Sequence, residues 1–159
     1  MSLYNLKTKL FRGKTKNANE WVYGGVYNSI INNNEEWFIV NDNGKYNVFP
    51  NTIGQFTGVI DKNDINIFEG DVLCTLYKGN ENALMDVRWN GETLQWEMTE
   101  INTPIWKVNH LHNTLALSEV LIEDLYGDES VSYVVGNIHD NPQWNYDEQY
   151  PITSAIKYL

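Results

Sequence analysis

The chain has 159 residues, 42% of them hydrophobic, and carries a formal charge of −10. That length suits one ordinary domain, or one compact unit with two sub-parts, and the apolar fraction excludes a disordered polar chain. No apolar run approaches the roughly 18 to 20 residues of a membrane-spanning helix, and 21 acidic against 11 basic residues disfavour long-range attraction to nucleic-acid phosphates or anionic lipid.

Lys7 and Lys9 are not followed by an apolar stretch of signal-peptide length, so a cytoplasmic location is expected. The segments Trp21 to Ile31 and Trp37 to Val40 are rich in β-branched and aromatic residues and flank the polar tract Asn32 to Asn34, which predicts two paired strands. Asn41-Asp42-Asn43-Gly44 has the residues of a tight turn. A third strand, Tyr46 to Phe49, then ends at Pro50, and a meander is the simplest topology.

In Ile67 to Leu73, Gly70 sits between Glu69 and Asp71, and an apolar run follows to Tyr77. This reads as a turn into a strand, with Gly70 supplying a backbone conformation that a Cβ resists and Asp71 accepting hydrogen bonds from nearby amides. The single Cys74 lies in that run and reads as a buried, inert thiol. Further on, Ala83, Met85, Val87 and Trp89 alternate with other residues, as do Leu94, Trp96 and Met98. Two period-two segments around Asn90-Gly91 predict a hairpin whose loop is even in length. A two-residue loop sets Val87 opposite Leu94 and Met85 opposite Trp96, a four-residue loop also keeps the faces aligned, and a three-residue loop breaks them. The best helix candidate is Ser118 to Tyr126, capped by Ser118 and stopped by Gly127. Ser132 to Ile138 reads as a last strand, ended by Asn141-Pro142, and Gln143 to Leu159 as a peripheral tail.

Four stretches occur in a distinctive order: Leu10 to Lys14 with Glu20 to Gly24; Pro50 to Val59; Asp61-Lys62-Asn63 with Ile67 to Val72; and Val135 to Pro142. Over residues 9 to 144 this order resembles the YopX family of phage and prophage proteins. Two positions depart from the family pattern: Asp64 stands where a glycine is usual, and His139 where an aromatic is common. The resemblance implies a mostly β fold, with a small SH3-like β roll or barrel at 61–142 and a β-rich N-terminal portion at 1–60; the residues themselves add one short helix and a peripheral tail at 143–159. It also implies a phage or prophage setting in a bacterial host. It brings no assigned activity or cofactor. The residues it marks, Gly54, Gln55, Thr57, Gly58, Asp61, Glu69, Gly70, Asp71, Gly136, Asn137 and Pro142, are expected to serve structure.

The residues themselves offer little chemistry. His110, His112 and His139 match no zinc spacing, and there is no nucleophile elbow or phosphate-binding glycine loop, so no metal, cofactor or catalytic residue is assigned. Carboxylates beside a glycine corner usually hold backbone, which is the reading of Asp61, Glu69 and Asp71. Gln55, Thr57 and Asn137 are expected to satisfy buried backbone groups. Aromatic residues make 13% of the chain; Trp21, Trp37, Trp89 and Trp96 are expected in the core, leaving Trp106, Trp144, Tyr146 and Tyr150 as candidates for an exposed binding patch. The leading expectation is a non-enzymatic module that binds a host or phage protein or forms homo-oligomers, without membrane contact. The alternatives are a nucleic-acid-binding or acidic DNA-mimic barrel, which the charge disfavours, and an enzyme built on the carboxylates.

Overall fold

In the computed structural model, residues 10–77, 81–101, 114–116 and 131–144 are described. Eleven strands are found among them: β1 (Phe11–Lys14), β2 (Trp21–Ile31), β3 (Asn34–Asn41), β4 (Gly44–Val48), β5 (Gly54–Ile60), β6 (Asn66–Phe68), β7 (Asp71–Tyr77), β8 (Glu81–Asn90), β9 (Gln95–Glu100), β10 (Thr114–Ala116) and β11 (Val131–Asn137). The chain is mostly β, as its period-two patterning and its resemblance imply. Only two short 3-10 turns, Pro50–Thr52 and Pro142–Trp144, interrupt the strands among the described residues. The helix expected at 118–126 lies outside them. The chain divides into two compact units, Met1–Phe56 and Thr57–Leu159.

In the first unit the strands run in the order β4-β3-β2-β1-β5. β2 and β3 pair over Gly25↔Val40 to Ile31↔Asn34, so the polar tract resolves into the two-residue turn Asn32-Asn33. Both residues have left-handed φ, 51° and 62°, a region asparagine tolerates better than most side chains. The second turn, Asp42-Asn43, joins Asn41 to Gly44, with the Asn43 amide donating to Asn41 Oδ1 at 2.9 Å.

The sheet of this unit rolls back on itself. Beyond β1, Thr15 bridges Val48 of β4, the Lys16 amide donates to the Asn47 carbonyl at 2.9 Å, and the Phe49 amide donates to the Lys14 carbonyl at 2.9 Å. Buried Thr52 locks the join: its Oγ1 accepts from the Lys14 amide at 2.8 Å and donates to the Phe49 carbonyl at 2.7 Å. Ile39 and Val48 are fully buried. The curl leaves no room for a side chain at Gly24, whose added Cβ would lie 2.0 Å from the Val40 carbonyl oxygen. The joining gives the first unit a roll-like curl, in keeping with the mostly β, roll-like fold that the resemblance implies.

The second unit holds an open antiparallel sheet in the order β10-β9-β8-β7-β11. β7 to β9 form a meander, and β11 returns to the far side of β7 with a bulge between Val134 and Gly136. Both faces of its centre are buried. One face carries Leu73, Met85, Val87 and Met98 with Ile67, flanked by Val59, Trp96 and Val134. The other carries Val72, Cys74 and Leu84 with Ile101, flanked by Tyr133, Ile138 and Trp144. A strand buried on both sides reads as a continuous apolar run, which is what Val72-Leu73-Cys74 is.

The β8–β9 loop is even in length, but its register differs from the simplest expectation. Trp89 pairs Trp96, Asn90 pairs Gln95, and Gly91 to Leu94 form a four-residue loop. Val87 faces Met98, so the apolar faces stay aligned, since shifts by even numbers preserve the side. Leu94 is displaced into the loop and is 72% exposed. Trp89 is 46% exposed, not interior, because the hairpin outruns the core at this end. Its ring meets that of Trp96 edge-on, with centroids 5.2 Å apart.

The neighbouring glycines of β2 make a test of this packing. Gly24→Ala is expected to destabilise the protein by about 1–3 kcal/mol or more through overpacking, whereas Gly25→Ala, where an added Cβ meets nothing within 4 Å, is expected to be neutral or stabilising by up to about 1 kcal/mol. Urea denaturation of the two variants checks the contrast.

Candidate functional site

The stretches singled out in the sequence fold into backbone-holding corners. Asp61, 4% exposed, opens the β5–β6 connection. Its Oδ1 accepts from the amides of Asn63 at 2.8 Å and Ile65 at 2.9 Å. Its Oδ2 accepts from the Val134 amide at 2.8 Å, next to the bulge in β11. Asp64, the residue standing in place of a glycine, has φ 61°, so the left-handed turn is kept with a side chain that tolerates it.

Asp71, 1% exposed, accepts from the Phe68 amide at 2.7 Å and closes the Glu69-Gly70 corner. Gly70 has φ 79°, its amide donates to the Val87 carbonyl at 2.8 Å, and its carbonyl accepts from the Ile138 amide at 2.9 Å. The corner is thus fastened to two other strands or their ends, while Glu69 beside it is half-buried. Asn137 repeats the device: its Oδ1 accepts from the His139 and Asp140 amides, and its Nδ2 donates to Asp140 Oδ2 at 2.7 Å. Thr57 donates to the Ile67 carbonyl at 2.9 Å and accepts from the Val59 amide at 3.2 Å.

Other marked residues are placed as follows. Gly54 is buried opposite Arg12, and Gly58 is exposed in β5. Gln55 is exposed, so it does not satisfy a buried backbone group as expected. Pro142 opens the 3-10 turn that ends in Trp144. Gly136 lies under that turn, where an added Cβ would fall 2.7 Å from Asn141 Oδ1 and 2.8 Å from Trp144 Cζ3. Trp144 is therefore half-buried packing for the second core face and not a free surface aromatic. Trp106, Tyr146, Tyr150, His110 and His112 lie outside the described residues. No group of three or more potential metal ligands occurs among the described ones.

One buried carboxylate was not singled out by sequence reasoning. Asp86 sits on the second core face, 1% exposed, between Val72 and Thr99 in register. Arg88 Nε donates to its Oδ2, while its Oδ1 has no hydrogen-bond partner among the described residues. Burial pushes its carboxyl above the usual range, against the opposing pull of Arg88. Only its place within a period-two strand, on the side opposite Met85 and Val87, could have signalled it. Nearby, the Tyr133 phenol is raised by its hydrogen bond with the Cys74 thiol, its cross-strand neighbour.

On the outer face of the first unit, aromatics and cations alternate. Tyr27 stacks on Phe38 with centroids 5.3 Å apart, and Lys45 Nζ lies 3.8 Å from the Phe38 centroid and 5.1 Å from that of Tyr27. Arg12 and Lys14, both buried, lie over Trp21, at 4.6 and 5.5 Å. Lys16 pairs with Glu36 at 2.6 Å beside Asn47, an arrangement that holds the Glu36 carboxyl below its usual range. Lys16, Asn17, Lys45, Tyr46 and Asn47 line an open groove of about 380 Å³.

The family model described as YopX protein matches residues 10–144, which include every one of these corners. The chain belongs to the YopX family. No curated protein matches it significantly. Among solved structures, this YopX chain is similar to the crystal structure of protein EF1440 from Enterococcus faecalis, at 20% identity over 83% of this chain and 94% of that one, with a TM-score of 0.42. The YopX stretches Asp61 to Asn63, Ile67 to Val72 and Val135 to Pro142 are those whose side chains tie the turns of the second unit together.

Two predictions follow from these groups. Asp61→Ala leaves three amides without their acceptor, at about 1–3 kcal/mol for each that water cannot reach, and Asp61→Asn, which keeps one acceptor, is expected to lose less; urea unfolding midpoints check the order. For Asp86 the folded state binds a proton more tightly than the unfolded state, so its carboxyl lowers stability as pH rises through the folded titration. Asp86→Asn is expected to melt higher than the parent at pH 7, and the difference is expected to shrink as the pH is lowered and the parent carboxyl is itself neutralised. Thermal melts across pH 4 to 7 measure it.

Proposed function

We propose that this YopX-family chain is a non-enzymatic accessory protein of a phage or prophage, acting in the cytoplasm of a bacterial host by binding another protein. The partner is a host or phage protein, or a second copy of the chain. What carries the reading is the exposed apolar surface on the outer face of the first unit, where Tyr27 is 39% exposed and Val40 38%, beside the Lys45 cation. Tyrosine beside aliphatic residues with a charged rim is the composition of a protein-binding patch. The disposition of the polar motif residues supports the same reading. The carboxylates of Asp61 and Asp71 are occupied by backbone amides, which leaves them poorly placed for acid–base work.

A tagged protein is expected to recover a reproducible, stoichiometric protein partner from host cells carrying the phage, and a Tyr27→Ser, Val40→Ser double variant is expected to lose it. Repeated recovery of no specific protein, including no untagged copy of the chain itself, would sink the proposal.

A further inference from the structure

Two exposed residues carry a conformational cost for which their own surroundings give no return. Leu94, in the β8–β9 loop, has φ 55°, the left-handed region where a bulky side chain is disfavoured, and it points into solvent at 72% exposure. Its loop is held rigid. Asn90 Oδ1 accepts from the amides of Glu92 at 2.8 Å and Thr93 at 3.3 Å, and Glu97 accepts from Asn90 Nδ2, Thr93 Oγ1 and Gln95 Nε2. These contacts hold the Glu97 carboxyl below its usual range. The result is a fixed apolar knob with Glu92 and Glu97 beside it.

The other residue is Gly25 in β2. It is exposed, has no left-handed φ, and an added Cβ would meet nothing within 4 Å, so neither backbone geometry nor crowding requires glycine there. A glycine inside a strand weakens it. What Gly25 does provide is a gap in the outer face of the first unit. Val40 lies opposite it, Tyr23 and Tyr27 follow on the same side two residues away in each direction, and Lys45 pairs with Val40 on the next strand. It is an apolar notch with a cation at its rim.

Charge is distributed to match. Met1–Phe56 has six Lys and Arg against four Asp and Glu, a net +2, whereas Thr57–Leu159 has five against seventeen, a net −12. We infer that the chain self-associates by seating Leu94 of one molecule in the Gly25 notch of another, with Glu92 and Glu97 facing Lys45. This inference rests on the protein-binding reading above and names a second copy as the partner. Shape and charge agree: a leucine knob fits a notch kept free of Cβ, and acid meets base at the rim. Rigidity of the loop lowers the ordering cost of binding.

Light scattering and sedimentation of the purified full chain over a range of concentrations test it. The wild type is expected to associate, less so as salt rises. Leu94→Gly and Gly25→Val are each expected to weaken association by about tenfold or more while leaving the thermal midpoint equal or higher, since one relieves the left-handed leucine and the other adds a strand-favouring side chain in open space. Lys45→Glu is expected to weaken it as well, and Glu92→Lys in the same molecule to restore part of the loss. Association unchanged in both Leu94→Gly and Gly25→Val overturns the inference, as does a response in only one of them. A wild type that stays monomeric at every concentration overturns it too, and leaves a host or phage protein as the partner for the recovery experiment to find.

Discussion

The Asp61 carboxylate gathers three backbone amides from two distant places in the chain, and the second unit is built around that junction. Two of the amides belong to the turn that sends the chain from β5 into β6. The third is Val134, 73 residues away, beside the bulge where β11 changes register against β7. A carboxylate shared in this way holds a turn and a bulge in one geometry, and the bulge in turn aims Asn137 and the final 3-10 turn. Asp71 and Asn137 extend the same logic to the neighbouring corners. The later motifs that mark the YopX family, Asp61 to Asn63, Ile67 to Val72 and Val135 to Pro142, are thus turns fastened by short polar side chains whose acceptors are used by amides.

Much of this was legible in the sequence. The strand Trp21–Ile31 is found with the expected bounds because β-branched and aromatic residues fill it and asparagines close it. Gly70 and Asp71 behave as their types suggest, and parity fixed the sidedness of the β8–β9 hairpin although its register was not fixed. What escaped was decided by contacts distant in sequence. Trp89 alternates correctly with Val87, yet whether a strand outruns its core depends on where the covering residues stop. Trp144 follows a proline in a polar stretch that reads as a tail, and only the bare backbone of Gly136 beneath it makes it packing. The burial of Asp86 depends on Ile101, Tyr133 and Trp144 covering the second face of the sheet, contacts that the alternation of β8 does not report.

The two units use glycine and charge differently. In the first, Gly24 allows backbone to approach backbone inside a tight curl, and Lys45 lies across the Tyr27 and Phe38 rings. In the second, two apolar faces share one sheet, and a carboxylate is held on one of them with only Arg88 as its charged partner among the described residues. A buried carboxyl of this kind is tolerated because it has one charged partner and can take up a proton when its surroundings demand it.

The join between Thr15 and Val48 has a further meaning for the first unit. An edge strand normally offers a row of unpaired amides and carbonyls, and extended peptides recognise such rows by adding themselves as one more strand. Along the last residues of β4 that row is spent within the chain, on Lys14, Thr15 and Lys16. Recognition there cannot proceed through backbone, which is indifferent to sequence, and must read side chains instead. The same closure that shapes the roll thereby guards it against indiscriminate strand addition and makes the identity of its surface residues the basis of selectivity.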